Sequence, residues 1–192
     1  MPDRRSRDLN LIDNPLPVAV DFEAGGESTL GDLYEEFHPS LIAYLRACDA
    51  RASEDLAGDT WLKVAAGLAR FTGDKSAFRS WLFTIARCRL IDHRRMMGRR
   101  GDVIGLDALF ARPSGDDPEG EAMSAIAGEA ALRLIGSLPP DQADAVLLRV
   151  VADLGTNEVA SIMGKRAGTV RVLQHRALRR LANVLDAQKV LD

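Results

Sequence analysis

The sequence predicts an all-α protein made of two small helical domains joined by a flexible linker. Three observations lead to that expectation. Aromatic residues are only 5% of the 192-residue chain, while Ala, Leu and Arg recur throughout, a composition suited to packed helices rather than sheets. Apolar residues return at helical spacing from Leu30 to about Met97 and again from about Met123. Between those stretches, Gly98 to Gly120 collects Gly101, Gly105, Pro113, Ser114, Gly115, Asp116, Asp117 and Pro118, with only the short Leu106–Phe110 patch apolar. A chain that is 46% hydrophobic can bury one medium core or two small ones.

Taken in order, residues 1–27 lack periodicity and contain Pro15, Pro17, Gly25 and Gly26, so they read as a flexible arm. The first domain is expected over 28–100 as a three- or four-helix bundle. Its opening helix presents Leu30, Leu33, Tyr34, Phe37, Leu41, Ile42, Tyr44 and Leu45, with a kink or break expected at Pro39. Ser53 is the expected N-cap of the next helix, with Glu54 and Asp55 in its first turn. Leu56, Thr60, Trp61, Val64, Ala65 and Leu68 should point inward, and the helix should end near Phe71-Thr72-Gly73. Ser76 is the expected cap of a third helix running through Phe78, Trp81, Leu82, Ile85, Ala86 and Leu90 to about Met97. An acidic linker is expected over 101–122, and the second domain over 123–187. There, helical spacing covers Met123–Ile135, and Leu138-Pro139-Pro140 starts a helix through Ala143, Val146, Leu147 and Val150. Gly155 should end that helix and Thr156 cap the next.

The net charge of −3 conceals a strong partition. Residues 1–59 carry 5 basic and 13 acidic side chains, residues 60–101 carry 10 and 2, residues 102–163 carry 3 and 11, and residues 164–181 carry 6 and none. Two basic blocks on an otherwise acidic chain point to a polyanionic partner. Other classes of function find little support. No apolar run reaches the roughly 20 residues of a membrane span, and the charged N-terminus lacks a signal-peptide core. Cys48 and Cys88 stand far apart and read as free thiols of a reducing cytoplasm. His38, His93 and His175 are equally scattered, so no metal site or cofactor is expected. With no carboxylate pair, nucleophile–base set or phosphate loop, an enzyme is not expected.

The second basic block has a recognisable form. Thr156–Met163 is a short helix with Val159, Ala160 and Ile162 inward, and Gly164 suits the left-handed residue that follows a helix. A longer helix then runs from Ala167 to Leu181. At 100° per residue, Val170, Leu173, Gln174, Ala177, Leu178 and Leu181 share one side, and Arg171, Val172, His175, Arg176 and Arg179 the other. Two helices with a tight Gly-containing turn form a helix-turn-helix, and its Arg-rich second helix suits phosphate and guanine contacts in the major groove.

Thr156-Asn157-Glu158-Val159-Ala160, Gly164, Gly168-Thr169-Val170-Arg171 and His175-Arg176-Ala177-Leu178 resemble region 4 of bacterial sigma factors. Leu138-Pro139-Pro140-Asp141-Gln142 with Val146-Leu147 is similar to the helix that begins that region. Response-regulator output domains share this pattern, so the first basic block decides. Phe78-Arg79-Ser80-Trp81-Leu82-Phe83-Thr84-Ile85-Ala86-Arg87 with Asp92-His93-Arg94-Arg95 resembles region 2 of the extracytoplasmic-function (ECF) sigma factors. Glu54-Asp55-Leu56 with Asp59-Thr60-Trp61-Leu62-Lys63 is similar to their polymerase-binding stretch, and Leu33–Pro39 to their opening. The resemblance covers about residues 30–186.

It implies an alternative sigma factor of the sigma-70 family, which binds core RNA polymerase, directs it to promoter DNA and helps to open it. It further implies control by an anti-sigma factor. Asp55, Asp59, Thr60, Trp61 and Lys63 become the polymerase-binding candidates, with Trp61 reading equally as core. Gly58, Asp59 and Ala65 depart from the residues usual there. Lys75, Ser76, Arg79, Arg87, Arg94 and Arg95 become candidates for the melted minus-10 strand, with Arg89 adding charge. Phe78 and Trp81 follow core spacing. Arg166, Thr169, Arg171, His175, Arg176 and Arg179 become the candidates for the minus-35 duplex. Gln174 stands where an aliphatic residue is usual, and Val172, Leu173 and Leu178 make this helix more apolar than its relatives'. The rival reading is a one-component helix-turn-helix regulator that binds operator DNA without polymerase.

Overall fold

The computed structural model describes residues 29–99 and 121–189, which form helices α1 (Leu30–Cys48), α2 (Ser53–Leu68), α3 (Lys75–Arg99), α4 (Glu121–Gly136), α5 (Pro140–Val150), α6 (Thr156–Met163) and α7 (Ala167–Lys189). No strand occurs among the described residues, in keeping with the predicted class. The arm expected over 1–27 lies outside them, as does the expected linker up to residue 120; the helix that follows already begins at Glu121.

In the first bundle, α1 opens with a reciprocal capping box. Asp32 N–H donates to the Thr29 hydroxyl at 3.2 Å, and Thr29 N–H donates to the Asp32 carboxylate at 2.7 Å. The helix runs unbroken through Pro39, against the break allowed for in the sequence. Proline inside a helix costs about 3 kcal/mol. Leu33, Phe37, Leu41, Tyr44 and Leu45 are almost wholly buried on one side of α1. At about 1.5–3 kcal/mol each, their burial outweighs the missing hydrogen bond.

The caps of the next helices are not the serines the sequence suggested. Asp49 accepts the N–H groups of Arg51 and Ala52, both at 3.2 Å, so Ser53 lies inside α2, donating its hydroxyl to the Ala50 carbonyl. Asp74 accepts the Ala77 N–H at 2.8 Å and thereby caps α3 in place of Ser76. Likewise Gly155 is the N-cap of α6 and Thr156 its first residue. In α2 the N-cap is Ala52, which makes no side-chain bond, and Asp49 orders the turn before it; in α3 the upstream acid is itself the cap, so both serines fall in the first turn. α2 also ends at Leu68, before Phe71, whereas α7 continues eight residues beyond Leu181.

The core of the first bundle joins Phe37, Phe71, Phe78 and Trp81 through ring contacts of 5.1–5.9 Å. Leu56 and Val64 from α2 and Leu82 and Leu90 from α3 complete it. In the second bundle, α5 lies at the centre and every residue from Gln142 to Leu148 is buried. One side of α5 packs on α6 and α7, and it also meets α1 of the first bundle. The two bundles therefore share a packed boundary. Phe83, absent from the predicted core, is fully buried with its ring edge-on to Tyr44 at 5.6 Å. Ala65 is exposed, and Leu30, Tyr34 and Leu178 are more open than their spacing predicts.

Candidate nucleic-acid interface

The turn between α6 and α7 sets the aim of the second helix. Gly164 adopts φ 62°, ψ 33°, and its N–H donates to the Ser161 carbonyl at 3.1 Å while Lys165 N–H donates to Ala160 at 2.9 Å. These paired bonds are a Schellman ending, which needs a left-handed residue at this position. Val170 and Ala177 are fully buried against the second bundle. Gln174 donates its side-chain amide to the Ala145 carbonyl of α5 at 3.0 Å, so the amide in an otherwise aliphatic row ties α7 down.

With that side fixed, the opposite side of α7 is presented to solvent. Arg166, Thr169, Arg171, His175, Arg176 and Arg179 are all exposed, and none of their side chains makes a hydrogen bond or ion pair with another described residue. Val172 is 48% exposed among them. Leu178, expected inward, is 59% exposed, because the buried stripe narrows to Val170 and Ala177 with Leu173 and Leu181 partly covered. Arg180, also exposed, extends the basic face one turn beyond Arg176 and was not among the sequence candidates.

The six residues of the first basic block lie along α3 but do not form one open surface. Lys75 pairs with Glu36 of α1 at 2.6 Å. Ser76 and Ser80 donate their hydroxyls to Glu158 Oε1 of α6 at 3.2 and 2.7 Å. Arg79 lies over the Phe37 ring and donates to the carbonyl and carboxylate of Asp153 at 3.4 and 3.2 Å. Arg87 donates to Asp144 Oδ2 of α5 at 2.8 Å and to the Ile162 carbonyl at 3.4 Å. Arg94 reaches the Cys48 carbonyl at 3.2 Å, and Arg95 lies 3.7 Å from Asp92. Arg89 keeps its Nε buried without a hydrogen-bond partner among the described residues.

The acids facing α3 have environments to match. Partial burial works to raise the Glu158 pKa, but hydrogen bonds from Ser80, the Gly155 N–H and Ser76, with the charge of Arg79, bring it below the ordinary value. Asp144 is 2% exposed and also accepts from the Tyr44 hydroxyl at 3.3 Å. Burial first, and Asp144 second, push the Cys48 thiol up to about 12 and the Tyr44 phenol well above its usual range. Both groups therefore stay neutral at physiological pH.

On α2 the polymerase candidates divide. Asp55, Asp59 and Lys63 are exposed. Thr60 is fully buried with its hydroxyl on the Leu56 carbonyl at 2.7 Å, and Trp61 is 8% exposed, donating to His38 Nδ1 at 3.3 Å. Those two lie beneath the outer face. Leu62, which the sequence reading passed over, is 71% exposed between the exposed Asp59 and Ala66. An open leucine on a helix whose apolar stripe lies elsewhere was the available signal.

Comparison with known proteins agrees with this geometry. Sigma-70 region 2 matches residues 33–100, and Sigma-70, region 4 matches residues 128–181. The chain is 32% identical over 165 residues to the ECF RNA polymerase sigma factor BldN of Streptomyces coelicolor, covering 85% of this chain and 62% of that protein. It is 30% identical over 177 residues to the ECF RNA polymerase sigma factor SigD of Mycobacterium tuberculosis, covering 88% and 83%. Among solved structures it resembles the sigma factor RpoE of Bartonella quintana, crystallised with the anti-sigma factor NepR, with a TM-score of 0.62. Identity there is 26%, over 81% of this chain and 97% of that one. The two bundles, one carrying a basic helix and the other a helix-turn-helix, are regions 2 and 4 of one family. The chain belongs to the ECF sigma factors of the sigma-70 family. Its function is that of an alternative sigma factor, acting at transcription initiation.

Proposed function

We propose that the chain docks on core RNA polymerase through the outer face of α2, holds the melted minus-10 strand along α3 and reads the minus-35 duplex with α7. The observation that carries this reading is the row Arg171, His175, Arg176 and Arg179, exposed on a helix whose other side is pinned by Val170, Gln174 and Ala177. A rigid helix with free guanidinium groups fits the major groove, and Arg166 and Thr169 at its N-terminal end suit phosphate. Asp55, Asp59, Leu62 and Lys63 form the polymerase face, with Thr60 and Trp61 supporting it from below. On this reading the domains span residues 28–100 and 123–187.

The protein itself performs no catalysis and needs no metal or cofactor; the chemistry belongs to the polymerase. It works in the cytoplasm, where polymerase and chromosome meet, and no described helix is long and apolar enough to cross a membrane. An anti-sigma factor is its expected regulator, supported by the Bartonella relative's co-crystal. Run-off transcription with core polymerase and a promoter library tests the whole reading. Defined start sites that depend on the chain are expected. Operator-like DNA binding with no initiation would favour the one-component regulator.

A further inference from the structure

The first two turns of α7 have an outward centre that is not basic. At about 100° per residue, Val172 lies about 160° from Val170 and from Gln174 and about 140° from Ala177, the residues that hold the helix to the second bundle. It therefore stands at the middle of the free side, 48% exposed, with Thr169 one turn back and His175 and Arg176 one turn on. Gly168 lies close to the same line. A Cβ there would meet nothing within 4 Å, so internal packing does not call for a glycine. Leu178 and Val184, also exposed, lie about 120° round on the two flanks.

Local chemistry gives neither residue a reason. Valine is a poorer helix former than the arginines beside it, and glycine is poorer still. An isopropyl group held in water gains nothing there. Their reason lies in what the helix meets. In the major groove every base edge presents hydrogen-bonding groups, and thymine alone adds a methyl. A valine bonds neither phosphate nor base, and set against a polar edge it strips water away without replacing it. Set against thymine, it buries methyl on methyl. Gly168, with no side chain, lets the first turn of α7 come close enough for so short a side chain to touch. Both residues stand in the N-terminal part of the helix, the part of a recognition helix that contacts base edges.

We infer that Val172 is a specificity-determining residue, reading the 5-methyl group of a thymine in the minus-35 duplex beside a guanine read by Arg176. Arg176 stands four residues on, about 6 Å along the helix axis. At about 3.4 Å per pair its guanine lies one or two base pairs from that thymine, with O6 and N7 open to the guanidinium. The inference rests on the reading of α7 as the major-groove helix and adds the base that its centre selects. Selection works in both directions: thymine gains an apolar contact, and any other base at that place loses water from its polar edge.

The test uses holoenzyme reconstituted from the full chain and core polymerase, with a promoter duplex enriched from a library randomised over the minus-35 element. Each thymine of that element is replaced in turn by deoxyuridine, which removes one methyl and leaves every hydrogen-bonding group in place. Dissociation constants are measured by competition. The wild type is expected to lose about fourfold at a thymine within two base pairs of a guanine, the worth of one methyl taken from water. With Val172→Ala or Val172→Ser, both at an exposed position and checked for fold by circular dichroism, the same replacement should matter less than about twofold. Losses below about twofold at every thymine in the wild type, or an undiminished loss in both variants, would overturn the inference, as would an enriched element without any A·T pair. Run-off transcription is the separate arm, and its failure would strike the sigma reading instead. The duplex is then enriched with the chain alone and the same replacements are made, so the thymine result does not depend on polymerase. A chain that enriches no duplex in either form would overturn both.

Discussion

Arg171 and Arg176 are exposed, sit on a fixed helix and have no side-chain partner among the described residues, so their loss should be felt only on DNA. Replacing either with alanine should weaken promoter binding by about 1–3 kcal/mol where it contacts a base, with affinity for core polymerase nearly unchanged. Parallel titrations of core enzyme and promoter duplex check this division. Leu62→Asp should do the opposite. It adds a charge to an exposed position, so thermal stability should hold within about 0.5 kcal/mol while polymerase affinity falls. Gly164→Ala meets no side-chain clash, yet its φ of 62° disfavours any Cβ-bearing residue. A loss of about 1 kcal/mol in denaturant unfolding, with the exposed basic row chemically intact, is the expected result.

At the scale of elements, every long helix was legible because burial on one side writes a 3.6-residue period into the sequence. The helix ends were less so. Ser53, Ser76 and Thr156 each satisfy the composition of an N-cap, but Ala52, Asp74 and Gly155 hold the capping positions. Shifts of one or two residues turn on backbone geometry that composition does not encode. Phe83 was left out of the predicted core because it packs on Tyr44, a residue of another helix far back in the sequence, and a single helix wheel contains no such information. The split among Asp55, Asp59, Thr60, Trp61 and Lys63 has a similar origin: the motif marks the stretch, while packing decides which members face outward. α3 provides a measurable consequence. Phe78 is fully buried in contact with Phe37, Phe71 and Trp81, and Phe78→Ala should cost about 3–5 kcal/mol in chemical denaturation.

Across the whole molecule, the acidic and basic blocks are partners as well as partitions. Glu158 both caps α6 through the Gly155 N–H at 2.6 Å and receives the α3 serines. Its pKa is held below the ordinary value in the folded chain, so its contribution is fully present above the unfolded value and drains away as pH falls through the depressed one. Thermal stability should therefore drop more steeply in the wild type than in Glu158→Gln between about pH 5 and pH 3, with the variant already lower at neutral pH. Parallel curves would show that Glu158 contributes nothing through its charge.

The aromatic rings described above are unevenly distributed. Trp61 beside His38 and Trp81 against Phe71 both belong to the first bundle, and from residue 121 onward the chain contains no Trp, Tyr or Phe. Intrinsic fluorescence thus sees only one half of the protein, while far-ultraviolet circular dichroism sees both. The molecule has a built-in optical asymmetry: the gap between its two melting curves measures, without any label, how strongly the silent half leans on the emitting one.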